Sequence, residues 1–337
     1  RTIQRWRAPE GPEGPEGPEG PVAAPAPVER PYNALSSQEA AAVVSIIRSP
    51  AHADESCREL ALSLSSGNPR VFLSHVTVWH YQTLLGCNGP RGRQRERIAQ
   101  GAHDFEWVSG ARQLWTYDVS YLLTGRRWEY YFLYGLLDFY SRKIVSWVGS
   151  DRFVSDEIQR LGDQGLLNEG LLNQPRSQWP QAHSDRGAQM RALPTQAYFQ
   201  KLGIVQTMSR PQTPNDNPRI EAHFATVKTL PAYPGSFETL DLAQVYFAEF
   251  YDWYNNVHPL TTLHMLTPNQ LHAGQGDAIL ANRRAGHRAA IAARRATSRE
   301  PFTIEEVLQQ GLPDVSDRPV YSWAGPKKVA RIHGDTP

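Results

Sequence analysis

The chain has 337 residues, 40% hydrophobic and 20% charged, and its 35 basic and 34 acidic side chains leave a net charge of +1. That length suffices for two or three domains and the apolar share for at least one core; the charge balance argues neither for nor against a polyanionic partner. Two cysteines, Cys57 and Cys87, cannot build a disulfide scaffold, and no apolar run reaches the ~18 residues of a membrane span, so disulfide-rich, collagen-like and membrane-spanning classes are excluded.

The cations are five Lys and 30 Arg. Arg grips phosphate with a planar fork, though a genomic composition bias gives the same count. The first residues, RTIQRWRAPEG, lack both the apolar stretch of a signal sequence and an initiating Met, which reads as a fragment or processed chain in a reducing, cytoplasmic setting. RTIQRWR reads either as the last turns of a helix or as a basic tail. Four PEG triplets and PVAAPAPVERP follow, an extended Pro-rich linker, so 1–34 is taken as tail and linker.

Residues 35–88 read as three short helices. Ser36–Glu39 and Ser56–Glu59 match the S-x-x-E capping box, and apolar residues follow each at helical spacing. The third helix starts at Ser74 and stops at Gly86, with Val78, Tyr81 and Leu85 inward and His75, Thr77, Trp79 and His80 outward. Two helices followed by a capped helix with a polar front is a helix-turn-helix pattern; a plain three-helix bundle fits the same periodicity. The linker 89–111 carries Arg91, Arg93, Arg95 and Arg97, a solvated run or a track for phosphates.

From Leu114 the texture turns to strands. LWTYDVSYLL alternates, and RRWEYYFLYGLLDFY and KIVSWVGS complete a three-strand meander. A helical stretch (155–171), a strand (181–185), a helix (193–203), a strand (204–208) and helices at 217–229 and 240–255 follow. The order β-β-β-α-β-α-β-α-α is that of a ribonuclease-H-like mixed sheet with flanking helices. The expected fold is therefore α/β over 112–274, preceded by an all-α helix-turn-helix domain. Residues 275–337 form an Arg-rich C-terminal segment ending in a small hairpin or tail.

Three carboxylates stand out by position. Asp118 lies mid-strand, Asp185 ends a second strand before a tight turn, and Glu221 falls in the first turn of a helix opened by Asn217 and Pro218. Carboxylates on a central strand, a neighbouring strand end and a facing helix can converge on one point and suit hard divalent cations, which take oxygen ligands and keep positions open for phosphate. A pair of such ions activates one oxygen and stabilises another, with no side-chain nucleophile. Lys228 follows Glu221 by two turns, about 20° from the same face, where a cation meets a DNA phosphate. Asp138, Asp216 and His258 read as structural. His183, Ser184 and Asp185 are adjacent and cannot form a hydrolase triad, and there is no GxSxG or P-loop.

The blocks WTYDVSYL, LLDFYSRKIVSW, HSDRGAQM, SRPQTPNDNPRIEAHFATVK, YDWYNNVHPL and LTPNQLHAG resemble an integrase catalytic core. They are most similar to DDE transposases of bacterial insertion sequences of the third numbered family. The resemblance implies two Mg²⁺ ions, with Mn²⁺ as substitute, and cleavage and joining of transposon DNA ends. It assigns Asp118, Asp185 and Glu221 as first, second and third acid and matches Lys228 to a common Lys after the third. It also implies double-stranded DNA ends and target as partners, a homodimer or larger synaptic complex, no membrane partner, and action at the bacterial nucleoid. A non-catalytic DNA-binding regulator and a structure-specific nuclease on the same fold are the alternatives. The zinc module of retroviral integrases is not expected, since Cys57 and Cys87 form no CxxC and His75 and His80 fit no finger spacing.

Overall fold

The computed structural model describes residues 33–87, 105–210, 217–296 and 302–326. The N-terminal RTIQRWR and PEG segments, Arg91, Arg93, Arg95, Arg97 and Asp216 lie outside these residues.

Helices α1 (Ser37–Arg48) and α2 (Cys57–Ser66) both begin in complete capping boxes, and α3 (His75–Leu84) begins at Ser74, whose hydroxyl accepts from the Thr77 amide at 3.2 Å. The caps satisfy amides that the first turn leaves unpaired. Val43, Val44, Ile46, Leu60, Leu64, Val71 and Val78 form most of the core of this domain.

A five-stranded sheet follows, formed by β1 (Leu114–Leu123), β2 (Tyr130–Asp138), β3 (Ile144–Ser150), β4 (Gln181–Ser184) and β5 (Gln206–Met208) in the order β3-β2-β1-β4-β5. The meander is antiparallel, while β1 pairs parallel with β4 and β4 with β5. This is the ribonuclease-H-like arrangement expected from element order. Strand alternation gives the sheet two apolar faces. On one, Trp115, Tyr117, Tyr134 and Leu136 meet α4 (Ser155–Asn168) and α5 (Leu193–Leu202); on the other, Leu122, Leu133 and Leu137 meet α6 (Pro218–Thr229) and α7 (Leu240–Asn256).

The end of the chain differs from expectation. After the short α8 (Pro268–His272), the Arg-rich stretch is a 21-residue helix, α9 (Gly276–Ala296). Then α10 (Ile304–Gln309) and the segment to 326 return to the first domain, and no strand forms there among the described residues. Val307 and Val315 complete the three-helix core, Arg318 donates to the carbonyls of Leu64 and Pro69 at 2.9 Å, and the Tyr321 amide donates to buried Glu55. Trp323 packs among Tyr246, Phe250 and Trp253 of α7. Sequence periodicity missed this because single residues, not a repeating stripe, carry the contacts.

The helical domain is therefore stabilised by a segment more than two hundred residues away. Val307→Ala, at a fully buried position, is expected to destabilise it by about 2 kcal/mol. Urea unfolding followed by exchange of α1–α3 amides checks this; an unchanged midpoint would show that the C-terminal segment adds nothing.

Candidate active site

Asp118 sits on the central strand and projects to the α6 side of the sheet. Its cross-strand neighbour on that face is Gly135. A Cβ at Gly135 would lie 3.0 Å from the Phe224 ring and 3.5 Å from Ile220, so the missing side chain lets α6 lie close against β1 and β2. Ile220, Phe224 and Val227 are the buried stripe of α6, which leaves Glu221 exposed beside it.

Two further contacts set the positions. Asn217, the N-cap of α6, does not cap the helix with its side chain; instead its Nδ2 donates to the carbonyl of Tyr117 at 3.2 Å. The helix start is thus tied to the residue before Asp118. On the other side, parallel pairing sets Tyr117 against Ser184, so the next residue of each strand, Asp118 and Asp185, comes level. The Asp185 Oδ1 accepts from the Gly187 amide at 2.9 Å, and a Cβ on Gly187 would come within 3.1 Å of that oxygen.

The electrostatics follow from this convergence. Burial, then the negative charges of Asp185 and Glu221, push the Asp118 carboxyl up to about 7, against the Val119 amide and Lys228, which favour the ionised form. Burial and Asp185 also raise Glu221. Carboxylate oxygens are the ligands a divalent cation takes, and such an ion would relieve the repulsion felt at Asp118 and Glu221. Among the described residues, no three His, Cys, Asp or Glu side chains are close enough together to hold a metal ion. The acids share one face without closing on a single point.

Lys228 Nζ donates to the Tyr121 carbonyl at 2.8 Å, and Asp118 counters the lowering that burial imposes on it. The cation expected over DNA is thus anchored to β1 three residues beyond Asp118. On α3, His75 and Trp79 are exposed, and Thr77 is half-buried with its hydroxyl 3.1 Å from that of Ser74.

Three determinants were not found in the sequence. The Asn217 tether and the Gly135 seat are single-residue devices; the glycine inside an otherwise apolar strand was the available signal. The third is a buried network around Asp138, which accepts from the amides of Arg112 and Ser141 and from the Ser141 hydroxyl. Ser141 also meets His272 Nδ1 at 2.8 Å, and His272 Nε2 meets Glu169 at 2.7 Å. Burial opposes ionisation of Glu169, yet hydrogen bonds from His272, Lys143 and Arg112 hold it well below the carboxylate range. The network resembles a Ser-His-Glu triad on paper, but Ser141 is fully buried and committed to Asp138, so its role is structural. Asp138 is structural as expected, and so is His258, which stacks on Trp253 at 4.5 Å.

Comparison with known proteins finds matches over the sheet domain. Residues 109–214 and 202–268 match models of the integrase core domain. A transposase of insertion sequence IS3A from Escherichia coli is 30% identical over 122 residues, covering 36% of this chain and 40% of that protein. A transposase of insertion sequence element IS904 from Lactococcus lactis is 27% identical over 153 residues, covering 44% and 56%. The chain thus spans about half the length of the curated relatives it matches. Among solved structures, the HTLV-2 integrase catalytic core domain in complex with magnesium is 17% identical with a TM-score of 0.37, over 49% of this chain and 98% of that one. Over residues 109–268 the chain is similar to integrase core domains. The curated relatives that match are transposases of insertion sequences, and the chain is similar to them over part of its length.

The seat of α6 makes a prediction. Gly135→Val is expected to destabilise the sheet domain by about 1–3 kcal/mol, and Phe224→Ala in the same chain should recover part of that loss by vacating the ring space. A double-mutant cycle measured by chemical denaturation checks it. Additive effects would mean that the two positions are not in contact.

Proposed function

We propose that this chain is a transposase that binds the ends of its insertion sequence, cuts them, and joins the freed strand to target DNA. The observation that supports this reading is the position of Asp118 on the central strand of a ribonuclease-H-like sheet, level with Asp185 and within electrostatic reach of Asp185 and Glu221. The integrase-core matches and transposase relatives support it.

Asp118 and Asp185 would hold Mg²⁺, or Mn²⁺ in its place, with Glu221 completing a second ion site. When bound, such ions supply Lewis acidity at the scissile phosphate and an activated oxygen nucleophile. The chain contributes the rest. Asp118 and Asp185 are fixed by the sheet and the Gly187 turn, while Glu221 approaches on α6. Lys228 offers a positive charge beside Asp118 for a flanking phosphate. No side chain is consumed: water opens one phosphodiester, and the freed 3′-hydroxyl attacks the next.

Recognition would rest on α3, with His75, Thr77 and Trp79 toward the major groove, and on Arg91, Arg93, Arg95 and Arg97, which lie outside the described residues. Joining two ends calls for a homodimer or larger synaptic complex on duplex DNA. No helix among the described residues is long and apolar enough to cross a membrane, and the proposed site of action is the bacterial cytoplasm, at the nucleoid.

Asp118→Asn should abolish both cutting and joining of labelled end DNA in Mg²⁺, by a factor of about a thousand or more, and leave affinity for that DNA within about threefold, because binding rests on other elements. Gel assay of joined products, with band shifts alongside, tests this. Normal cutting by Asp118→Asn, or joining that persists in excess chelator, would contradict the mechanism.

A further inference from the structure

Helix α9 is fixed at both ends of its packed face. Arg283 donates to the carbonyls of His264 and Met265, in the loop before α8, at 3.1 Å. Arg294 forms a fork on Glu39 of α1 and donates to the Phe72 carbonyl at 2.7 Å. Between them Phe72 lies so close to Gly286 that a Cβ there would collide with its ring, and the same ring meets His287 edge-on at 5.4 Å. One helix thus locks the DNA-reading domain to the catalytic domain.

The opposite face of α9 has no such role. Ala281, Ala285, Ala289 and Ala292 are exposed, as are Arg284 and Arg288. No acid follows Asp277 in the helix, so neither arginine has a carboxylate one turn away, the usual support of a solvated charged helix. Arg284 and Arg288 project about 40° apart around the axis and roughly 6 Å apart along it.

Their position relative to α3 follows from the groove beside them. A groove of about 300 Å³ runs between α2, the start of α3 and α9, lined by Arg58, His75, His264, Arg283 and His287 and by no carboxylate. Going around α9 from the packed Gly286, the groove residues Arg283 and His287 come first, and Arg284 and Arg288 lie next on the same side. The start of α3, the groove and the two exposed arginines therefore form one continuous basic surface.

We propose that Arg284 and Arg288, with Arg58 across the groove, hold the phosphate backbone of the duplex that α3 reads, so that α9 contributes sequence-independent grip to end binding. This rests on the reading of α3 as the DNA-facing helix. The fit is one of charge: arginine forks without acidic neighbours match phosphates and little else of that spacing.

The test uses the full chain and a fluorescent duplex of about 30 base pairs of arbitrary sequence, since backbone contacts carry no sequence information. Affinity is measured by anisotropy over a salt series. Arg284→Ala combined with Arg288→Ala should make the slope of log affinity against log salt shallower by about two units, each lost phosphate contact removing roughly one. Arg284→Lys with Arg288→Lys should restore most of the slope, because charge rather than fork geometry carries the effect. Ala is a strong helix former, so thermal unfolding of the Ala variant should match wild type. Superimposable slopes for wild type and the Ala variant would overturn the role of α9 while leaving the transposase reading intact. A wild-type chain that binds no duplex would overturn both.

Discussion

The close seat of α6 on the sheet is the constraint on which the site depends. Two carboxylates, Asp118 and Asp185, come level through strand pairing alone. The third arrives only because α6 comes near enough to bring Glu221 with it, and that approach needs a strand position without a side chain. Gly135, paired with Asp118, supplies it. Asn217 then fixes the helix start against Tyr117. Bringing three negative groups to one half-buried face costs free energy, which appears as the raised Asp118 carboxyl. The apolar stripe of Ile220, Phe224 and Val227 offsets that cost by burying hydrocarbon on the adjoining face of the same helix.

The chain is also more interwoven than its linear order suggests. The segment after α9 completes the core of the first three helices and sends Trp323 into the aromatic cluster of α7. Helix α9 spans the two bodies through Arg283 and Arg294. A helical domain tied in this way cannot swing freely against the sheet that carries the carboxylates.

Much of this was legible in the residues. The S-x-x-E boxes at Ser36 and Ser56 mark helix starts because their chemistry is local, and LWTYDVSYLL declares a strand by strict alternation. The three acids drew attention by their places, mid-strand, at a strand end and in a first helical turn, and strand pairing brings the first two level. Other features depend on contacts between distant residues. Arg318 meets Leu64 and Pro69, and His272 meets Glu169 and Ser141, across separations that no spacing rule spans. The Arg-rich stretch shows both cases: its composition was visible, but only the fold separates Arg283 and Arg294, committed to structure, from Arg284 and Arg288, which face outward.

The central claim is that the three acids act as one cation-binding group although they belong to three separate elements. Titration of Mn²⁺ into the DNA-free protein, followed by its electron paramagnetic resonance signal, tests this most directly. Asp118→Asn, Asp185→Asn and Glu221→Gln are each predicted to weaken Mn²⁺ binding by about tenfold or more, with the fold unchanged by circular dichroism. Wild-type Mn²⁺ affinity in the Glu221→Gln protein would contradict the account, because it would place the third acid outside the site that α6 is built to complete.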